Sequence, residues 1–225
     1  MKKKLIIFGD SAFAEIAYEY FTHDSEYTVV AFTVENEFLT KNELFDLPIY
    51  SFEDIINILP PQEYDMHIAL TYSKLNRVRM KIYNLAKSKG YFLANYISSK
   101  SFVWKNVVMG DNIFIFEDNT VQPFVKLGSN IVLWSGNHIG HHSSIDSHNF
   151  ISSQVVVSGF VNIGKSNFIG VNSTLANNIN IGDDVFIGAG ATISKSVKGG
   201  SLIYGNRNTP IDKTTYQIFD IDAME

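Results

Sequence analysis

Every sixth residue from Ile97 to Ile193 is a large aliphatic: Ile97, Val103, Met109, Ile115, Val121, Leu127, Leu133, Ile139, Ile145, Ile151, Val157, Ile163, Ile169, Leu175, Ile181, Ile187 and Ile193. The chain is 45% hydrophobic. An unbroken run of this length then has a chance of roughly one in a million. The next residue is often small, as at Gly110, Gly128, Gly140, Gly164, Gly170, Ala176, Gly182 and Gly188. The fifth position of the hexad is apolar, small or Asn. Neither an α-helix nor a flat strand repeats every six residues. A coil of short strands does, with one inward aliphatic per side and a tight corner after it. An irregular β-sandwich would not keep phase for so long.

The chain before this repeat has another rhythm. "KLIIFG" is a short apolar run ending in Gly9, the pattern of a buried strand. "SAFAEIAYEYF" spaces Phe13, Ile16, Ala17 and Tyr20 as a helix does. "YTVVAFT", "LPIYS", "MHIALTY" and "YFLANYI" read as strands, and "FEDIINIL" and "LNRVRMKIYNLAKSKG" as helices. Such an alternation predicts a small Rossmann-like parallel sheet with helices on its faces. The expected division is an α/β domain at 1–96, the coil at 97–198, and a tail at 199–225. The tail, "GGSLIYGNRNTPIDKTTYQIFDIDAME", leaves the hexad phase and is expected to fold back along the last coil.

Net charge is −5, which argues against a nucleic-acid partner. There is no cysteine, so disulfides, thiolate metal sites and a thiol nucleophile are excluded. The start, "MKKKLIIFGDSAFAE", has too short an apolar run for a signal peptide or a membrane span. The expectation is a soluble cytoplasmic protein that does not engage a membrane.

The hexads "IGKSNFIGVNSTLANNINIGDDVFIGAGATI" are similar to those of left-handed parallel β-helix (hexapeptide-repeat) acyltransferases. In that family three hexads make one triangular coil of eighteen residues. The left hand follows from the resemblance alone, because the ordinary crossover rule favours the right hand. With the α/β domain placed first, the whole chain resembles the bacterial nucleotide-sugar acyltransferases of the sialic acid O-acetyltransferase-like group. The resemblance implies an acetyl-CoA-dependent N-acetyltransferase acting on a nucleotide-linked amino-sugar, such as a 4-amino-4,6-dideoxy sugar, in surface-glycan synthesis. It also implies a homotrimer with active sites between subunits. A sugar or sialic acid O-acetyltransferase is the near alternative. A non-catalytic trimer that binds nucleotide-sugar is the non-enzymatic one.

The stretch "NHIGHHSSID", 137–146, concentrates His138, His141 and His142. With eighteen residues per coil, residue n lies under n+18, one strand spacing away at about 4.8 Å. The column through His141 is therefore Pro123, His141, Gly159, Asn177. An imidazole beside a side-chain-free amide can pair a general base with an oxyanion donor. The resemblance implies the same roles, with His141 as general base and the Gly159 amide at the thioester carbonyl. An acidic residue that can orient the histidine follows it in such relatives, whereas this chain has His142, a second catalytic candidate as an orienting neighbour, with Asp146 as the alternative orienting group. Trp134 stands where a relative has a polar residue near the acceptor. A zinc site of the γ-class carbonic anhydrase kind is the metal alternative for the histidines. The resemblance implies no metal.

The turn "GDSAFAE" keeps one glycine of the G-x-G-x-x-G pattern, which argues against bound NAD. By resemblance the first domain holds the nucleotide of the sugar substrate. That points to Gly9, Ser11, Ala12 and Phe13, to Glu35 after the second strand, and to Ser73, Lys74 and Asn76 in "TYSKLNRVR". Arg77, Arg79 and Lys81 read as the solvated face of a helix. Coenzyme A is expected along the last coils and tail, at Gly159, Asn177, Ala189, Lys195 and Arg207.

Overall fold

A computed structural model describes residues 3–205. The first region holds β1 (Lys3–Phe8), α1 (Ala12–His23), β2 (Tyr27–Val34), β3 (Glu43–Leu44), β4 (Leu47–Ser51), α2 (Ile55–Ile58), β5 (Asp65–Ile68) and α3 (Arg77–Ser88). Its sheet runs β3-β4-β2-β1-β5. All pairings are parallel except the β3–β4 hairpin at the edge, which the strand–helix alternation did not suggest. Leu5 to Phe8 are all buried. A strand covered on both faces reads as a continuous apolar run rather than an alternating one. Gly9 turns the chain into α1 at φ 122, and a Cβ there would lie 3.0 Å from the Ala69 carbonyl oxygen, so glycine is required.

The second region is a left-handed parallel β-helix. Its strands are two residues long, from Tyr96–Ile97 to Leu202–Ile203, and they form three parallel faces of seven, six and five strands. In chain order these are the first face (beginning at Tyr96), the second (at Phe102) and the third (at Val108). Strand partners lie eighteen residues apart, as in Thr120 with His138 and His138 with Val156. The hexad aliphatics from Ile115 to Ile193 are buried in one cluster, and Val103 and Met109 pack against it. Ile97, at the open lower end, is 38% exposed. Three residues after each inward aliphatic from Met109 to Ile187 the backbone turns left-handed, as at Asn130, His142, His148 and Asn178.

The coil does not end at 198. Leu202–Ile203 pairs with Phe186–Ile187, a spacing of sixteen residues rather than eighteen. The start of the expected tail therefore continues the β-helix. Arg207 lies outside the described residues.

The first face is the docking surface for the α/β region. Tyr96, Phe114, Val132, Phe150 and Phe168 point outward from it and join Phe13, Ala17 and Phe21 of α1 in one buried cluster. Polar clasps flank this core. Tyr20 Oη donates to Glu117 at 2.7 Å, Tyr83 Oη to Asp111 at 2.6 Å, and Arg77 pairs with Asp184 at 2.5 Å.

One expectation is corrected here. Arg79 is not on a solvated helix face but is fully buried. Its Nη2 donates to Asn76 Oδ1 at 2.8 Å, to the His148 carbonyl at 3.3 Å and to the Asn149 carbonyl at 3.1 Å. Burial pushes its guanidinium down to about 9, so it stays charged at neutral pH. The partner surface is backbone about seventy residues away in sequence, and helical spacing carries no sign of it.

Candidate active site

Ile139 points into the coil, and Gly140 turns the corner between the second and third faces. A Cβ on Gly140 would sit 2.5 Å from the Ser158 carbonyl carbon and 2.6 Å from the Gly159 nitrogen. Only glycine lets the next coil come this close. The chain then exposes His141, whose backbone N–H donates to Gln122 Oε1 at 2.9 Å.

The His141 ring lies against Gly159. A Cβ on Gly159 would be 2.9 Å from Cε1 and 3.0 Å from Nε2 of the ring. A larger residue at 159 would compete with the imidazole for the same space. On the other side, His141 Nδ1 is 3.1 Å from His142 Nδ1. Among the described residues neither His141 Nε2 nor the Gly159 N–H has a hydrogen-bond partner in the protein. A basic nitrogen and an amide donor thus stand one coil apart, both unspent. Such a pair can take a proton and stabilise an oxyanion.

The column continues upward. Asn177 and Lys195 are exposed at the same corner, and the eighteen-residue register holds between Thr174 and Thr192. Three spacings of about 4.8 Å put Lys195 about 14 Å above His141. Ala189 is exposed at a different corner, the one between the first and second faces.

Two neighbouring histidines, His138 and His148, point elsewhere. His138 faces outward from the second face, half-buried. His148 lies at the corner of the third and first faces, where its Nδ1 accepts from Asn130 Nδ2 at 2.9 Å. Burial, helped by the nearby Arg79 charge, pushes its imidazole down to about 4. Among the described residues no three His, Cys, Asp or Glu side chains are grouped so as to hold a metal ion.

The residues expected to bind nucleotide are distributed unevenly. Gly9, Ser11 and Glu35 line a cavity of about 100 Å³ at the ends of β1 and β2, together with Phe38 and Val78. Typical small-molecule sites run from about 300 to 1,000 Å³, so this one admits a ring but not a dinucleotide. Glu35 is paired with Lys81 at 2.7 Å. Phe38, 57% exposed, was not singled out by sequence, and its signal was an aromatic just past a strand end. Ala12, Ser73 and Lys74 are exposed near this end of the sheet. Phe13 and Asn76 are buried. The Asn76 side chain donates to the Asn167 carbonyl at 3.0 Å and accepts from Arg79, so it ties the two regions together. Trp134 is half-buried beneath α1, stacked on Phe116 at 4.4 Å and close to Phe13 at 6.0 Å. It belongs to the docking core and to a corner other than that of His141.

The α/β region covers the first face, whereas His141 sits at the corner between the second and third. In a triangular coil that corner is opposite the first face. A single chain therefore does not bring Gly9, Ser11 and Glu35 to His141.

No curated protein matches the chain by sequence. Residues 160–195 match the family model described as bacterial transferase hexapeptide (six repeats). Among solved structures, the acetyltransferase domain of PglB from Neisseria gonorrhoeae FA1090, in complex with acetyl coenzyme A, is 22% identical with a TM-score of 0.81, over 94% of this chain and 100% of that one. PerB from Caulobacter crescentus, in complex with CoA and GDP-perosamine, is 19% identical with a TM-score of 0.78, over 90% and 94% of the two chains. WeeI from Acinetobacter baumannii AYE is 21% identical with a TM-score of 0.69, over 90% and 97%. Residues 160–195 thus match a hexapeptide-repeat model, and the chain has the fold of these structures, an α/β domain followed by a left-handed parallel β-helix.

Proposed function

We propose that this protein is an acetyl-CoA-dependent N-acetyltransferase whose acceptor is a nucleotide-linked amino-sugar. The observation that carries the reading is the His141–Gly159 pair, with Nε2 and the amide N–H both unspent. PglB and PerB, which share the fold, were solved with acetyl coenzyme A or CoA, and PerB also with GDP-perosamine.

The reaction needs no covalent acyl-enzyme. The sugar amine attacks the thioester carbonyl, forming a C–N bond. His141 Nε2 takes the proton that the nitrogen loses, and the Gly159 N–H donates to the tetrahedral oxyanion. The C–S bond then breaks, and the thiolate leaves with a proton as coenzyme A. A positioned base contributes about 10²–10⁴-fold and an oxyanion donor about 10²–10³-fold. The exposed column above Gly159 offers the donor a track, with Asn177 beside the chain of the thioester and Lys195 for phosphate. The cavity at Gly9, Ser11 and Glu35 would take the base ring of the acceptor's nucleotide.

Because these two ends lie on opposite sides of one chain, the reading includes a homotrimer in which one subunit's α/β region faces another's His141 corner. Phe102, Phe124, Val156 and Phe160 leave apolar surface around that corner, each at least 40% exposed, as an unassembled interface would. The test is coenzyme A release from acetyl-CoA with UDP-, dTDP- and GDP-linked amino-sugars in turn. Release with one of them, from a protein that is trimeric by light scattering, is expected. No release with any, or a monomer at micromolar concentration, overturns the reading.

A further inference from the structure

The geometry points to His142 as a positioning residue that holds the proton of His141 on Nδ1, with Phe124 and Phe160 as the clamp that holds His142. This inference rests on the general-base reading of His141 above.

Two imidazole nitrogens 3.1 Å apart share one proton. If His142 Nδ1 donated, the His141 proton would sit on Nε2, and no lone pair would face the space beside Gly159. If His142 Nδ1 accepts, His141 carries Nδ1–H and presents a bare Nε2 there. Only the second arrangement gives a base. A neutral histidine in water prefers its proton on Nε2, so the useful tautomer has to be imposed by an acceptor at Nδ1. Among the described residues His142 is the one protein partner of His141 Nδ1. The same acceptor strengthens its bond once His141 becomes the imidazolium, because the donor is then charged.

A neutral, exposed imidazole is a poor anchor unless its plane is fixed. The column supplies the fixing. His142 is stacked between Phe124 below, at 4.6 Å and 28°, and Phe160 above, at 4.9 Å and 17°. Phe160 also meets the His141 ring edge-on, at 5.1 Å and 89°. Phe124, His142 and Phe160 all adopt left-handed backbone, at φ 66, 59 and 59. Elsewhere among the described coils this turn position carries small or polar residues, such as Asn112, Asp118, Gly136, Ser166 and Asn172, and one other ring, His148. A bulky ring in that conformation is strained where asparagine is not. Stacking of the rings on one another offsets that strain. Three successive coils bear that cost at the corner where the base sits.

The test compares His142→Phe with His142→Asn in the full-length protein. Phenylalanine already occupies this turn one coil below and one above, so the first variant keeps the stack and loses the acceptor. Asparagine suits the left-handed turn and keeps an acceptor oxygen. Long-range ¹⁵N–¹H spectra should show His141 protonated at Nδ1 in the parent protein and at Nε2 in His142→Phe. The kcat of His142→Phe should fall about 10- to 100-fold, with KM for acetyl-CoA changed less than twofold, and His142→Asn should recover most of the loss. A parent protein with its His141 proton on Nε2 would overturn the inference. So would a His142→Phe variant with full kcat, or a His142→Asn variant as slow as His142→Phe. If the parent protein acetylates nothing, the acetyltransferase reading has failed, and the tautomer spectra still decide this inference by themselves.

Discussion

His142 and His148 occupy the same position in successive hexads. Each follows an inward isoleucine by three residues, and each has left-handed backbone, at φ 59 and 68. Their surroundings differ completely. His142 is exposed at a free corner, between two phenyl rings and beside the proposed base. His148 is at a corner covered by α3, where it accepts from Asn130, meets the Tyr83 ring edge-on at 5.4 Å, and lies beside the buried Arg79. The hexad fixes the backbone of every corner alike. What covers the corner decides whether a histidine there serves chemistry or packing.

The sharpest way to break this comparison is at the covered corner. Arg79→Ala leaves the His148 and Asn149 carbonyls without their donor and empties a packed site. It should lower unfolding stability by about 3 kcal/mol, measured by urea denaturation. At the free corner the effect should fall on rate instead. His141→Ala should reduce kcat by about 10²-fold or more, close to 2.7 kcal/mol of transition-state stabilisation, with little change in melting temperature. Equal stability losses in both variants would erase the distinction between the corners.

Gly159→Ala should have an intermediate effect. The added Cβ would sit within 3.0 Å of the His141 ring, which is a mobile side chain and can yield. We expect roughly a tenfold drop in kcat and a nearly unchanged urea midpoint. Gly140→Ala, by contrast, meets backbone atoms on the next coil and should unfold more readily.

The smallest effect concerns acid. His148 binds its proton at about 4 in the folded chain, against an ordinary value of 6.5. Between these values the unfolded chain binds more protons, so stability rises with pH across that window. The protein therefore loses stability as pH falls from 6.5 towards about 4. His148→Asn would extend the Asn112–Asn130 ladder and remove the titrating ring. It should make the acid slope shallower by about 1 kcal/mol, after allowance for the partial exposure of His148. It should not abolish the slope, because the fully buried His67 is also pushed down to about 4 by burial. An unchanged slope in His148→Asn would remove His148 from the account.

Much of this was legible in the chain itself. The seventeen hexad aliphatics set the inward side and the glycines after them set the close corners, while the eighteen-residue coil that put His141 under Gly159 came from the family resemblance and not from the period of six. These features are local or periodic, and a repeat copies local geometry from coil to coil. The strand–helix alternation of the first 96 residues likewise announced a parallel sheet, whose central strand β1 is buried on both faces from Leu5 to Phe8, although "YFLANYI" gives its strand residues Tyr96–Ile97 to the β-helix instead. Tertiary structure alone decided which face of the β-helix the α/β region would cover. That choice buried Arg79 and Asn76, put Trp134 and Phe13 into a docking core, and separated Gly9 from His141 within one chain. It arose from outward aromatics on the first face meeting α1 and from backbone carbonyls meeting α3. Contacts between residues so distant in sequence leave no period in it.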